Sequence, residues 1–292
     1  MSDRENKKNI DKQNKPGAAK NIIGVFDSGL GGLTVLKYFF RTNPGYNYIY
    51  LGDNARLPYG EKSPETIYNY TREAANFLFA AGCNLIIIAC NTASAQALRR
   101  LQHEYLPYSY PERRILGVIR PLAEAIAGNE KIKSVGIIGT KATINSDAYK
   151  LELEKLRPEL RVEQQETPLI VPLIETGWAH KPETKMILKK YLRPLKIKQI
   201  DALILGCTHY SFLHKEIEKI MGRRILVPPP GELIAQSLTA YLGRHQELGL
   251  TTRANPTYKF YTTDDTRLFK DWGEKFLERE IKNLERIELS EL

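Results

Sequence analysis

The chain has 292 residues, 42% of them hydrophobic and 26% charged, a globular composition that excludes a largely disordered or low-complexity chain. Three cysteines exclude a disulfide scaffold, and no uncharged apolar run approaches the ~18 residues of a membrane span. With 43 Lys plus Arg against 34 Asp plus Glu the net charge is +9, but it is spread thinly; a mildly positive field for a small anionic substrate is expected, and a nucleic-acid surface is not. Residues 1–20 are polar and lysine-rich with no apolar stretch. They are expected to be a disordered basic tail rather than a signal peptide, on a cytoplasmic protein with reduced thiols.

Residues 21–26 (NIIGVF) read as a buried strand, entering the turn Asp27-Ser28-Gly29-Leu30-Gly31-Gly32 and a helix over 33–40. A second strand at 47–51 (NYIYL) precedes a loop over 52–60 and apolar residues at helical spacing over 64–81. Residues 84–89 (NLIIIA) are continuously apolar, as in a strand covered on both faces, and 91–104 read as helix. This alternation predicts an α/β fold with parallel sheets and crossover helices. The pattern then restarts, with strands at 134–138 (SVGII) and 202–205 (ALIL), a helix near 145–156 between them, and another after Gly206-Cys207-Thr208-His209. GVFDS at 24–28 echoes GIIGT at 136–140, and IIIACNTAS at 86–94 echoes LILGCTHYS at 203–211, at similar separations. The pairing suggests an internal duplication.

Ligands of open α/β sheets bind beyond the carboxyl ends of the strands. Four segments end there with polar or reactive side chains: Asp27-Ser28, Cys90-Asn91-Thr92, Thr140, and Cys207-Thr208-His209. Cys90 and Cys207 hold equivalent places, each between a strand and a predicted helix whose dipole is expected to lower the thiol pKa toward neutrality. Cys83 has nothing polar around it and is expected to be a buried hydrophobe. Two such thiols admit three uses. A redox pair would lack the Cys-x-x-Cys spacing, and a metal site of Cys90, Cys207 and His209 matches no standard zinc pattern. Proton transfer needs only two thiols facing each other across a cleft, one removing a proton from a carbon and the other delivering one to the opposite face.

These motifs resemble the glutamate racemases, within the cofactor-independent aspartate/glutamate racemase family. The matching stretches are GVFDSGLGGLTV (24–35), YLGDNARLPYG (50–60), IIIACNTASA (86–95), GTKATINSDAY (139–149), VPLIE (171–175), LGCTHY (205–210) and FYTTDD (260–265). The resemblance implies an isomerase that interconverts L- and D-glutamate without cofactor or metal and supplies D-glutamate for peptidoglycan, hence cell-wall biogenesis and cell shape. It makes Cys90 and Cys207 the catalytic acid/base thiols, Cys90 serving D-glutamate and Cys207 serving L-glutamate. It assigns substrate contacts to Asp27, Ser28, Tyr59, Gly60, Asn91, Thr92, Thr208 and His209, with Glu175 and Thr140 in support. It also implies two pseudo-symmetric α/β domains, 21–114 with 230–292 and 115–229, the active site between them, in a cytoplasmic homodimer. One departure is Val227-Pro228-Pro229-Pro230-Gly231-Glu232, where the family commonly reads Ile-Asp-Ser; this stretch is expected to carry the chain back to the first domain.

A competing reading comes from Gly29-x-Gly31-x-x-Thr34 after a strand, with Asp53 some 20 residues on, which approximates a dinucleotide fingerprint. Thr34 in place of the third glycine, and a carboxylate at Asp27, count against it. A two-lobed binding protein would account for a cleft but not for twinned thiols. Aspartate and hydantoin racemases share the architecture, and the PYG loop and GCTHY favour glutamate.

Overall fold

The computed structural model describes residues 21–289; the expected tail over 1–20 lies outside them. Among the described residues the strands form two sheets in which every ladder is parallel. In chain order they are β1 (Ile22–Asp27), β2 (Asn47–Gly52), β3 (Leu85–Ile88), β4 (Arg114–Gly117), β5 (Ser134–Gly139), β6 (Arg161–Glu166), β7 (Ala202–Gly206), β8 (Tyr258–Thr262) and β9 (Leu284–Arg286). The larger sheet runs β4-β3-β1-β2-β8-β9 and the smaller β6-β5-β7. Within them β3-β1-β2 and β7-β5-β6 have the same order, and the echoed sequence stretches fall on β1 with β5 and on β3 with β7. The duplication read from the sequence is thus a repeated strand–crossover unit.

Alternate side chains of each strand feed different apolar layers, which is why the strands read as unbroken hydrophobic runs. Ile23, Val25, Leu85 and Ile87 pack with Leu36 and Phe39 of the helix Leu33–Thr42 and with Leu238 of the helix Pro230–Arg244. Phe26, Ile86 and Ile88 point the other way, against Leu78 and Phe79 of the helix Pro64–Ala80. Val135, Ile137 and Ile204 of the smaller sheet join the first of these layers, so one core runs between the two sheets. Each such side chain contributes about 1.5–3 kcal/mol on burial.

The structure departs from the periodicity in four places. The helical stretch after β3 extends to Ser109 through a π turn at Leu101–Tyr105. The stretch near 145–156 is two helices, Lys141–Asn145 and Ala148–Leu156, broken at Asp147, which takes a left-handed φ of 52°. After β7 the chain forms a 3-10 helix, Thr208–Leu213, before the α-helix His214–Met221. The strands β4 and β6 carry no strong strand signal: β4 has four residues and β6 is a polar edge strand, RVEQQE.

The proline-rich stretch does return the chain to the larger sheet. Gly231 lies flat on Tyr38, where a Cβ would stand 2.4 Å from the ring, and β8 then pairs with β2. Among the described residues no helix is long and apolar enough to cross a membrane.

Candidate active site

The carboxyl ends of β1, β3, β5 and β7 converge on one cavity of about 60 Å³. The larger sheet and its loops contribute Ser28, Tyr59, Gly60, Cys90, Asn91 and Thr92; the smaller contributes Thr140, Cys207, Thr208 and His209. All ten are positions singled out in the sequence. Asp27 and Glu175 stand behind the lining. Sequence reasoning did not single out Leu57, Pro58, Glu61, Pro168, Val171 and Pro172, which complete the wall; they are mostly apolar, and only Leu57, Pro58, Val171 and Pro172 are marked, by their places in the LPYG and VPLIE stretches. A larger groove of about 340 Å³ lies elsewhere, with Arg120 and Glu152 paired in its lining, and holds neither thiol of the pair.

Two glycines allow the halves to meet. A Cβ on Gly31 would stand 2.2 Å from Thr208 Oγ1 and 2.7 Å from His209 Nδ1, and one on Gly60 would stand 2.7 Å from Thr140 Cβ. Across the same seam Thr92 Oγ1 and Thr140 Oγ1 are 2.9 Å apart. The Tyr149 hydroxyl donates to Asn91 Oδ1 at 2.5 Å.

The two thiols differ in their surroundings. Cys90 caps the helix Asn91–Gln96; its Sγ accepts from the Ala93 N–H at 3.4 Å and lies 3.4 Å from Ser28 Oγ. The expected depression of its pKa does not occur. Burial, and then the charge of Asp27, push the Cys90 thiol up to about 12, outweighing the Ser28 hydroxyl and the Ala93 amide. Six helical residues offer too little positive potential to offset desolvation. Cys207 precedes the 3-10 helix rather than an α-helix and makes no capping bond; its Sγ lies 3.9 Å from His209 Nδ1. Cys83 is buried as expected, and burial raises its thiol as well.

His209 is buried, and its Nε2 forms an ion pair with Glu175 Oε1 at 3.1 Å. Burial disfavours the imidazolium, but Cys207 and Glu175 outweigh it and hold His209 well above its ordinary pKa. Asp27 is fully buried. Its Oδ2 accepts from the Gly29 N–H at 3.0 Å, an Asx turn, and its Oδ1 accepts from the Thr208 hydroxyl at 3.4 Å. Burial raises the Asp27 carboxyl, with His209 pulling it down. Two thiols with different neighbours thus open on one cavity from opposite halves, an arrangement able to address both faces of a carbon acid.

The dinucleotide reading fails on geometry. Gly31 is pressed against Thr208 and His209, leaving no room for a pyrophosphate. Asp53 has no exposed surface, and Arg56, Tyr59 and Thr263 occupy its carboxylate. Among the described residues no group of three or more His, Cys, Asp and Glu is placed to hold a metal ion.

The family model described as Asp/Glu/Hydantoin racemase matches residues 36–230. The chain is 41% identical over 276 residues to the glutamate racemase of Syntrophus aciditrophicus (strain SB), an alignment covering 94% of this chain and all of that protein. Among solved structures, the glutamate racemase of Francisella tularensis in complex with D-glutamate superposes with a TM-score of 0.82 at 37% identity, covering 95% of this chain and 98% of that one. The RacE1 glutamate racemase of Bacillus anthracis superposes with a TM-score of 0.85 at 32% identity, covering 94% and 99%. With twinned thiols at equivalent strand ends and relatives matching it nearly end to end, the chain belongs to the Asp/Glu/hydantoin racemase family.

Proposed function

We propose that this protein is an isomerase that interconverts L- and D-glutamate by a two-thiol proton transfer at the α-carbon, supplying D-glutamate for peptidoglycan. The observation that carries the reading is that Cys90 and Cys207 reach one cavity from equivalent strand ends of two duplicated halves. With L-glutamate bound, a Cys207 thiolate takes the α-proton as the C–H bond breaks. The electron pair passes into the α-carboxylate, and the Cys90 thiol gives its proton to the opposite face. The product is D-glutamate, and the thiols have exchanged protonation states; the reverse reaction or exchange with water resets them. His209, held protonated beside Cys207, supplies the positive charge a thiolate there needs. Cys90, with its raised pKa, enters this direction carrying the proton it must deliver. Hydroxyls and amides of Ser28, Asn91, Thr92, Thr140 and Thr208 receive the carboxylates, and Asp27 acts from behind the lining. The scheme uses no cofactor.

The same reading divides the chain into 21–114 with 230–292 and 115–229, closing on the substrate from either side, in a cytoplasmic homodimer; the pairing of β4 with β3 carries the first boundary on to Gly117. The test is incubation with L-glutamate in heavy water without added cofactor. Optical rotation should decay to zero as deuterium enters the α-position. Cys90→Ser and Cys207→Ser should each lower racemisation by about 10²–10⁴-fold, the contribution of a positioned acid or base. Full racemisation by either variant would overturn the two-base scheme, and turnover of aspartate but not glutamate would move the substrate to a sibling.

A further inference from the structure

We propose that Asp53, Arg56 and Thr263 are positioning residues: an ion triad, Asp53–Arg56–Glu73, together with Thr263 locks the cavity wall Leu57–Glu61 to the helix Pro64–Ala80 and to the end of β8, and so sets the affinity for substrate. The inference rests on the activity proposed above and deepens it, because none of Asp53, Arg56, Glu73 and Thr263 lines the cavity.

The wall has little hold on itself. Residues 54–61 contain two single-turn 3-10 helices, Asn54–Arg56 and Tyr59–Glu61, joined by Leu57 and Pro58, with closing bonds of 3.4 Å at Leu57 and 3.1 Å at Lys62. Its place is instead fixed through Asp53, directly after β2. Asp53 Oδ2 accepts from Arg56 Nε at 2.7 Å and from the Tyr59 hydroxyl at 2.5 Å, and Oδ1 accepts from Thr263 Oγ1 at 2.9 Å. Arg56 Nη1 also pairs with Glu73 on the helix Pro64–Ala80, and its guanidinium lies 3.9 Å over the Tyr70 ring. Thr263 Oγ1 accepts from the Ala55 N–H at 3.0 Å, and Thr262 Oγ1 donates to Asn54 Oδ1 at 3.2 Å. Every residue from 53 to 56 is therefore tied to β8, to the helix or to Asp53.

Such a triad is a poor way to gain stability, since desolvating two carboxylates and a guanidinium costs about what their attraction returns. What it provides is direction. Each bond has one donor and one acceptor geometry, and an apolar plug of equal volume would leave the buried Tyr59 hydroxyl without its partner. The phenol proton of Tyr59 is spent on Asp53, so the hydroxyl has none to donate to a substrate carboxylate. Tyr59 lines the cavity, and Asp53 decides where it stands.

The decisive variant is Thr263→Val, which removes a hydroxyl remote from the cavity at nearly constant volume. It should raise KM for L-glutamate about tenfold, the worth of one hydrogen bond to a buried charge, with kcat nearly unchanged. Thr263→Ser should restore the wild-type KM. Tyr59→Phe should raise KM comparably, and the double variant should do no worse than the worse single one, because both act through Asp53. Amide exchange over 54–61 in the substrate-free Thr263→Val protein should be at least about tenfold faster than in wild type, local opening that costs less free energy. An unchanged KM with only a lowered melting temperature, multiplying effects in the double variant, or unchanged exchange over 54–61 would each overturn the proposal. A wild-type protein inert to glutamate would count against the proposed activity, and the exchange measurement would then decide the positioning on its own.

Discussion

Cys90 and Cys207 occupy matching places in the chain, but their neighbours differ: Ser28 and the Ala93 amide stand at Cys90, and His209 at Cys207. Burial and the nearby Asp27 carboxyl keep Cys90 protonated, with its pKa pushed up to about 12. Its folded-state value lies above the ~8.5 of a free thiol, so the stability it contributes is complete below the ordinary thiol range and is lost as pH rises through the folded value. Alkylation of Cys90 by iodoacetamide, followed by mass spectrometry of its peptide, should therefore climb across the alkaline range without a plateau short of about 12. Asp27→Asn keeps an acceptor for the Gly29 amide but removes the charge, and should move that profile to lower pH. A profile that stays put would show that desolvation alone sets the thiol. The residue types of the site were legible because chemistry concentrates at strand ends. The direction of the Cys90 shift was not legible, since it depends on how much water the closed halves exclude.

Among the elements, strand ends and helix starts carry the site, and glycines decide how near they come. Thr140 caps the helix Lys141–Asn145 through its Oγ1, which accepts from the Thr143 N–H at 3.2 Å, so it cannot swing away from Gly60. Gly60→Ala would force a Cβ to within 2.7 Å of Thr140 Cβ. Overpacking of this kind costs about 1–3 kcal/mol. Thermal unfolding should register that loss, and kcat/KM should fall at least about tenfold as the wall is pushed from its place; a variant with wild-type kcat/KM would show that the seam has slack. The sequence pointed to GLGG as a turn and to PYG as a motif, yet the reason for each glycine is a partner far along the chain. Runs such as LIII in β3 announced themselves by composition, whereas β6 did not, because an exposed edge strand needs no apolar face.

The whole molecule is a duplicated unit extended on one side. The helix Pro230–Arg244 crosses back onto the larger sheet, and β8 and β9 add to β2, bringing Phe260, Phe269 and Phe276 into the main core. Together with Leu277 and Ile281 these side chains are worth about 1.5–3 kcal/mol each, comparable in sum to the ~5–15 kcal/mol that holds a domain folded. A chain ended after residue 257 should therefore show no cooperative unfolding transition by circular dichroism, while a sharp transition would mean that the remaining strands of the larger sheet suffice. The FYTTDD stretch was visible as a motif, but its attachment to the site through Thr263 and Asp53, 210 positions apart, was not.

By itself the sequence determined the parallel α/β class, the repeat, the two thiols and the polar residues around them, because apolar runs, their spacing and the reactive ends that follow them are local properties of the chain. The tertiary structure decided that Asp27 and Glu175 stand behind the cavity, that the phenol of Tyr59 is spent on Asp53, and that Cys90 holds its proton tightly. It also decided that a 3-10 turn rather than an α-helix follows Cys207. Each of these depends on desolvation or on a partner distant in sequence, as with Thr208 and Asp27 at 181 positions apart, and burial of that kind exists only once the two halves have closed on one another.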